Sequence, residues 1–188
     1  MDVSVRVDDD PNPRTRNRER STVVGMGEAM DISTFWTILL IIHGLGALAL
    51  IGALTHQAVA VALPVRAPAG NFITRYRAVQ SAGYATTVCV LWVFTFIMGA
   101  WIYTEYRTYI RIPLEELRYW KTVGFFELKE HAVSFGLALL PIYWYLWKNP
   151  RVTEFDSARK WLTVVLAVIC WFVFLVGHVL NNARGFGT

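Results

Sequence analysis

Four long segments of this chain contain no Asp, Glu, Lys or Arg, and they constrain its fold more than any other feature. They are residues 32–65, 78–104, 131–147 and 161–183, with lengths of 34, 27, 17 and 23 residues. A helix needs about 20 apolar residues to cross about 30 Å of hydrocarbon. Such segments cannot lie on a water-facing surface, so they indicate a multi-pass membrane protein. They exclude a soluble enzyme domain, a disulfide scaffold and a disordered chain.

The predicted fold is all-α, because lipid offers the backbone no hydrogen-bond partner and the sequence lacks an alternating strand pattern. We expect a four-helix up-down transmembrane bundle over residues 32–183, with both termini on one face. The spans are placed at about 33–63, 80–104, 125–147 and 159–181.

Polar segments flank and connect the predicted spans. Residues 1–31 combine an aspartate run with spaced arginines, which predicts a disordered mixed-charge arm, and residues 184–188 form a tail. In residues 105–124, apolar and aromatic side chains alternate with charges at near-helical spacing. This interfacial segment predicts a short helix at the lipid headgroups. A solvated connection with an aromatic belt and a docking surface are equal alternatives for its role.

The distribution of charge favours one orientation. We call the face where the first span begins face X and the opposite face Y. The connections on face Y, residues 64–79 and 148–158, together with the adjoining Arg159 and Lys160, hold seven basic residues and two acidic ones. Short basic loops are typical of the cytoplasmic side, although the arginines of the arm also count. We expect face Y in the cytoplasm of a cell membrane. The net charge of +4 then needs no nucleic-acid partner.

All four histidines lie inside predicted spans, where ionisable side chains are costly and tend to mark function. With a rise of about 1.5 Å per residue, His43, His131 and His178 reach one level in the half nearer face X. His56 lies alone in the Y half. We interpret the three histidines as a cofactor or metal site, with structural histidines as the alternative reading.

Imidazoles on facing helices, among apolar and aromatic side chains, are the way a helical bundle holds a b-type haem. The first and third spans of an up-down bundle are diagonal, so His43 and His131 are the first choice as axial ligands. His178 is an alternative ligand or a partner of a haem propionate. Glycines near these histidines are better explained by close helix contact.

Glu127 lies one turn before His131 on the same helix face. Its carboxylate could bind a metal, accept the imidazole N–H or take a proton near a quinol. The alternative is an interfacial ion pair with Arg107 or Arg111.

Other polar and sulfur-bearing residues of the spans have simpler interpretations. His56 and its neighbour Gln57 predict an interhelical hydrogen bond. Cys89 and Cys170 lie at mid-helix without a second cysteine at ligand spacing, so they predict packing only.

In plan, four helices with His43, His131 and His178 near one face resemble the small membrane b-type cytochromes. These include the b561-like group and the haem-anchoring subunits of quinone-linked dehydrogenases. The resemblance covers residues 33–181. It implies one haem b and electron transfer between the quinone pool and a redox partner protein at face X. The chain would be a subunit of an oxidoreductase rather than a stand-alone enzyme. b561-like proteins carry two ligand pairs, and the unpaired His56 argues against a second haem.

Two other classes of function stay open. A copper or iron protein, or a diiron-like oxidase, would use the three histidines with Glu127 and Glu130. In a structural or assembly subunit, the histidines would join helices and the 105–124 segment would bind a larger complex.

Overall fold

The regular elements of the described residues are all helical. By its internal contacts the chain divides into two compact units, residues 1–40 and 41–188, and the packing below belongs to the second. The computed structural model describes residues 13–63, 71–72 and 81–185, with side chains at 34–63, 71–72 and 81–180.

Five α-helices are present in the described residues, one more than the four spans that the sequence predicts. The additional helix, α3, lies inside segment 105–124, where the sequence predicts a short helix. Short 3-10 turns precede α2 and α5. The bounds are α1 Pro13–Ala62, α2 Tyr84–Tyr109, α3 Arg111–Glu116, α4 Trp120–Lys148 and α5 Asp156–Gly185, with the turns at Ser81–Gly83 and Thr153–Phe155.

Three stretches of these helices are long and apolar enough to cross a membrane: Thr34–Ala62, Ser81–Tyr109 and Thr153–Leu180. They indicate a membrane protein. Helix α4, which contains the predicted span 125–147, has 29 residues but is not among them. His131, Pro141 and several Tyr and Trp residues dilute its apolar character. The expectation of four apolar spans is therefore corrected to three, with α4 long enough to span but less apolar.

Helix α1 starts earlier than the sequence pattern predicts. It begins at Pro13, a first-turn position that does not need the N–H that proline lacks. Residues 13–31 are therefore helical where a disordered arm is expected, because arginine, glutamate and methionine favour helix and no further proline interrupts them. Residues 1–12 of the expected arm, most of connection 64–79 and residues 186–188 of the tail lie outside the described residues.

Helix α3 ends in a Schellman motif. Its last turn is closed by Arg118 N–H donating to the Glu115 carbonyl at 3.0 Å and Tyr119 N–H donating to the Leu114 carbonyl at 2.8 Å. Arg118 adopts a φ of 60°, a left-handed conformation that usually belongs to glycine. This turn ends α3 sharply, so that α4 can begin at Trp120.

Close helix contacts are made at glycines, as the sequence predicts. A Cβ on Gly136 of α4 would lie 2.1 Å from Cζ2 of Trp92 on α2, so the indole packs directly on the α4 backbone. Trp92 Nε1 also donates to the Val133 carbonyl at 3.3 Å. A Cβ on Gly46 of α1 would lie 2.8 Å from Cε1 of Phe94.

The buried apolar cluster lies in the middle and the Y half of the bundle. All four long helices contribute to it, each from the part nearer face Y or from its centre. Its fully buried members include Leu54, Val88, Tyr143 and Leu166. The remaining members are Leu50, Ile51, Ala85, Trp92, Leu140, Trp147, Ala167 and Cys170.

A buried arginine holds the connection between α4 and α5. The Arg159 side chain is 4% exposed and forms an ion pair with Asp156. Its guanidinium donates to four backbone carbonyls at the end of α4 and in its connection, which also places positive charge at the helix C-terminus. These carbonyls belong to Leu146 at 3.2 Å, Asn149 at 2.8 Å, Pro150 at 3.3 Å and Val152 at 2.9 Å.

Candidate cofactor site

Interhelical contacts define a level in the X half of the bundle. Helices α2 and α4 are antiparallel and meet at Trp92 and Gly136. Two turns from that contact, Gly99 on α2 and Lys129 on α4 lie at similar depth. His43 of α1 packs on Gly99, where a Cβ would lie 3.1 Å from His43 Cε1.

The same level extends to α5. A Cβ on Gly177 would lie 3.8 Å from Cδ of Lys129, so these two residues face each other across α4 and α5. His131 follows Lys129 by two residues, and His178 follows Gly177 by one. Contacts therefore bring all three histidines of the predicted site to similar depth.

The imidazole of His43 contains one of the two buried side-chain polar atoms that have no hydrogen-bond partner among the described residues. Its Nδ1 is buried and makes no such bond. The backbone of Thr95 and the charged groups of Lys129 and Glu130 lie near the ring. Burying a polar nitrogen without a partner is unfavourable, so this atom needs an explanation.

His131 lies on the exposed surface of α4. Its Nδ1 is 2.7 Å from the Glu127 carbonyl oxygen. A carbonyl only accepts hydrogen bonds, so Nδ1 carries the proton and Nε2 of a neutral ring keeps its lone pair. That tautomer suits a nitrogen ligand, because haem- and metal-bound histidines are often oriented by such a bond.

His178 is exposed on α5, and its ring is stacked parallel to Phe174, with ring centroids 6.3 Å apart and an interplanar angle of 3°. The three histidines lie at similar depth, but they do not form one cluster. His131 and His178 are exposed on the bundle surface, whereas Nδ1 of His43 is buried. In the described part of the chain, no group of three or more His, Cys, Asp or Glu side chains could hold a metal ion.

The Glu127 carboxylate forms an ion pair with Arg111 at 3.0 Å, which matches the interfacial alternative. Only its backbone carbonyl, not its carboxylate, contacts the His131 ring. Arg111 also binds Glu115 at 2.7 Å, and this bond holds the guanidinium pKa above its usual value. Glu130 pairs with its neighbour Lys129 at 2.8 Å.

An aromatic stack lies next to this ion pair, near the X end of α2 and α4. The Tyr106 and Phe126 rings are parallel, with centroids 3.7 Å apart, and Tyr103 stacks on both. Lys129 Nζ lies 4.4 Å from the Phe126 ring centroid. The Tyr106 hydroxyl is the other buried polar atom without a hydrogen-bond partner in the described residues.

The polar residues of the Y half have protein partners. Tyr84 and His56 Nδ1 are hydrogen bonded at 3.1 Å, in agreement with the predicted interhelical bond. Gln57 is 1% exposed; its amide donates to the Ser81 carbonyl at 2.9 Å and accepts from the Tyr143 hydroxyl. These bonds join α1, α2 and α4. Cys89 and Cys170 are free thiols packed in or against the apolar cluster.

Two residues of interest were not singled out from the sequence. Tyr106 lies two turns beyond Gly99 on α2, and this seven-residue spacing could have placed it on the same helix face. Arg159 has no distinct sequence signal, because an arginine next to a lysine at a span end is typical of an exposed cation.

Comparison of the chain with protein-family models, with curated proteins and with solved structures finds no match. The resemblance to membrane b-type cytochromes therefore stays a prediction based on span number and histidine placement.

Proposed function

We propose that α4 is a fourth membrane span, in a four-helix up-down bundle of the cell membrane with both termini at face X. At about 1.5 Å per residue, its 29 residues exceed the 30 Å of a bilayer core. It packs antiparallel to α5, which is apolar enough to span. Trp and Tyr near its C-terminal end suit a membrane boundary.

Within this bundle, the chain is a membrane-embedded b-type cytochrome with one haem in the X half. The observation that carries this proposal is the buried His43 imidazole, whose Nδ1 has no partner among the described residues. The apolar cluster occupies the middle and the Y half, and none of its buried members lies at the level of the three histidines. Ligation of haem iron by histidine would account for a buried imidazole.

His43 and His131 are the proposed axial ligands, and His178 is the alternative to His131. His131 fits because its Nδ1–H is held by the Glu127 carbonyl, which leaves Nε2 as the free nitrogen. His131 and His178 both lie on the bundle surface, so whichever of them is the second ligand must turn inward from α4 or α5. His43 alone therefore fits the site as the structure stands.

Haem supplies a one-electron carrier when it is bound. The side chains of the chain hold it by imidazole nitrogen, surround it with apolar groups and limit access of water. A quinol in the bilayer releases protons together with electrons, and Glu127 and Glu130 are carboxylates within one turn of His131 that can accept them. Arg111 keeps the Glu127 carboxylate at the X end of the bundle, close to a partner protein.

The visible spectrum of the detergent-purified protein, with and without dithionite, tests this proposal. We expect a Soret band and sharp reduced bands. His43→Ala should abolish haem binding or convert a low-spin spectrum into a high-spin one. His56→Gln is the matched control on the same helix and should leave the spectrum unchanged. A colourless wild-type protein, expressed with ample haem, would refute the proposal.

A structural or assembly subunit is the second candidate function. It is favoured by the partners that three histidines already have: His56 with Tyr84, His131 with the Glu127 carbonyl, and His178 with Phe174. It predicts a protein with neither haem nor metal that co-purifies with a larger complex. The metal-handling alternative gains no support from the described residues, because they contain no suitable group of ligands.

A further inference from the structure

The end of the α4–α5 pair at face Y carries lysines paired with tryptophans. We call residues 144–161 the Y-end hairpin. Lys148 Nζ lies 5.0 Å from the Trp144 ring centroid on α4, and Lys160 Nζ lies 5.9 Å from the Trp161 centroid on α5. Both tryptophans are exposed, at 42% and 62%. Each pair places a cation beside an aromatic ring that suits the lipid headgroup level.

The charged side chains of the Y-end hairpin are mostly basic. Arg159 is buried and forms an ion pair with the exposed carboxylate of Asp156, so the charges of these two residues offset each other. Lys148, Lys160 and the exposed Arg151 remain, against the exposed carboxylate of Glu154. The surface is therefore cationic.

The position of the hairpin relative to a bilayer follows from α5. Its candidate span begins at Thr153, inside the hairpin, so the hairpin lies at the face-Y end of that span. The five donor contacts of Arg159 hold the connection in shape, and this places the two Lys–Trp pairs on a preformed structure.

We infer that the Y-end hairpin binds the phosphate head group of an anionic phospholipid, with Lys148 and Lys160 on the phosphate and Trp144 and Trp161 at the glycerol level. Charge complementarity selects an anionic lipid over a zwitterionic one, because the hairpin has excess positive charge. The tryptophans select a lipid over free phosphate, since they need an amphipathic surface. This inference is independent of any haem.

Native mass spectrometry of the full chain, taken from nanodiscs of equal phosphatidylglycerol and phosphatidylcholine, tests the inference. We expect retained lipid to be enriched in phosphatidylglycerol, and the enrichment to weaken as salt is raised. Lys148→Gln with Lys160→Gln should lower retention about 25-fold, about fivefold for each lysine. Lys121→Gln with Arg107→Gln removes two exposed cations at the X end and is the matched control.

Three outcomes would overturn the inference. One is equal retention of the two lipids by the wild-type protein. Another is an equal loss of phosphatidylglycerol in the X-end control, which would show a general charge effect. The third is displacement of the lipid by inorganic phosphate at millimolar concentration, which would identify a free-phosphate site instead. Circular dichroism of the variants separates loss of lipid from loss of fold.

Discussion

The contact between Gly136 and Trp92 offers a sharp test of the helix packing. In Gly136→Ala, the new methyl group would lie 2.1 Å from Cζ2, 2.7 Å from Cη2 and 3.0 Å from Cε2 of the indole. Trp92 is 1% exposed, so its ring has no solvent to move into. The ring must shift, and the shift breaks its hydrogen bond to the Val133 carbonyl.

The expected loss of stability follows from these contacts. Overpacking a core typically costs about 1–3 kcal/mol, and a lost hydrogen bond costs about 0.5–1.5 kcal/mol. The higher helix propensity of alanine offsets up to about 1 kcal/mol of this loss of stability. We therefore expect Gly136→Ala to lower the free energy of unfolding by about 0.5–3.5 kcal/mol. For a chain of this size, each kcal/mol lowers Tm by about 2–4 °C.

Thermal unfolding in detergent, followed by circular dichroism, measures this difference. Gly124→Ala is the matched control on the same helix, because no atom lies within 4 Å of its added Cβ. It should keep or slightly raise Tm. Trp92→Phe in the Gly136→Ala background should recover part of the loss, which a double-mutant cycle reports as coupling. Equal Tm values for both alanine variants would refute the described packing of α2 on α4.

Three further substitutions test local features by the same assay. Arg159→Met removes the guanidinium donor from the Leu146 and Pro150 carbonyls and should cost about 1–3 kcal/mol, whereas the exposed Arg151→Met should stay within about 0.5 kcal/mol. Tyr143→Phe leaves the Gln57 amide oxygen unpaired and should cost about 1–3 kcal/mol. Arg118→Gly removes a left-handed arginine and should stabilise the protein by up to about 1 kcal/mol. An unchanged Tm for Arg159→Met, or a lower one for Arg118→Gly, would contradict the geometry described.

The helical class and the approximate spans follow from local sequence properties, which is why they could be predicted. Charge-free length predicts a membrane helix because each residue adds a fixed rise and a roughly fixed transfer energy. Charge-free length does not guarantee apolar character: in α4, Trp and Tyr count as nearly neutral although they suit a membrane boundary. It also does not predict the helical conformation of residues 13–31, because charge and proline content favour disorder while arginine and glutamate favour helix.

Only the depth of the candidate site in the membrane could be predicted from the sequence, because the depth of a residue follows from its position along the helix. His43, His131 and His178 do lie at similar depth, but depth does not specify which way a side chain faces. The rotation of each helix is set by its contacts, such as Trp92 on Gly136 and Lys129 on Gly177. These contacts turn His131 outward, and sequence periodicity around it is too weak to reveal that direction.

A comparison of the two halves of the bundle supports the location of the proposed site. In the Y half, buried polar groups are paired: Gln57 with Tyr143 and Ser81, and Arg159 with the carbonyls of its connection. Among the described side chains, both buried polar atoms without partners, His43 Nδ1 and Tyr106 Oη, lie in the X half. Because folded proteins rarely leave such atoms unpaired, their occurrence on one side favours a ligand there.

If that reasoning is right, Tyr106→Phe should leave the stability of the ligand-free protein unchanged, since no bond is lost. Tyr143→Phe, the same change in the Y half, should be destabilising. Equal destabilisation by both changes would mean that Tyr106 has a partner within the protein, and would remove this support for a ligand in the X half.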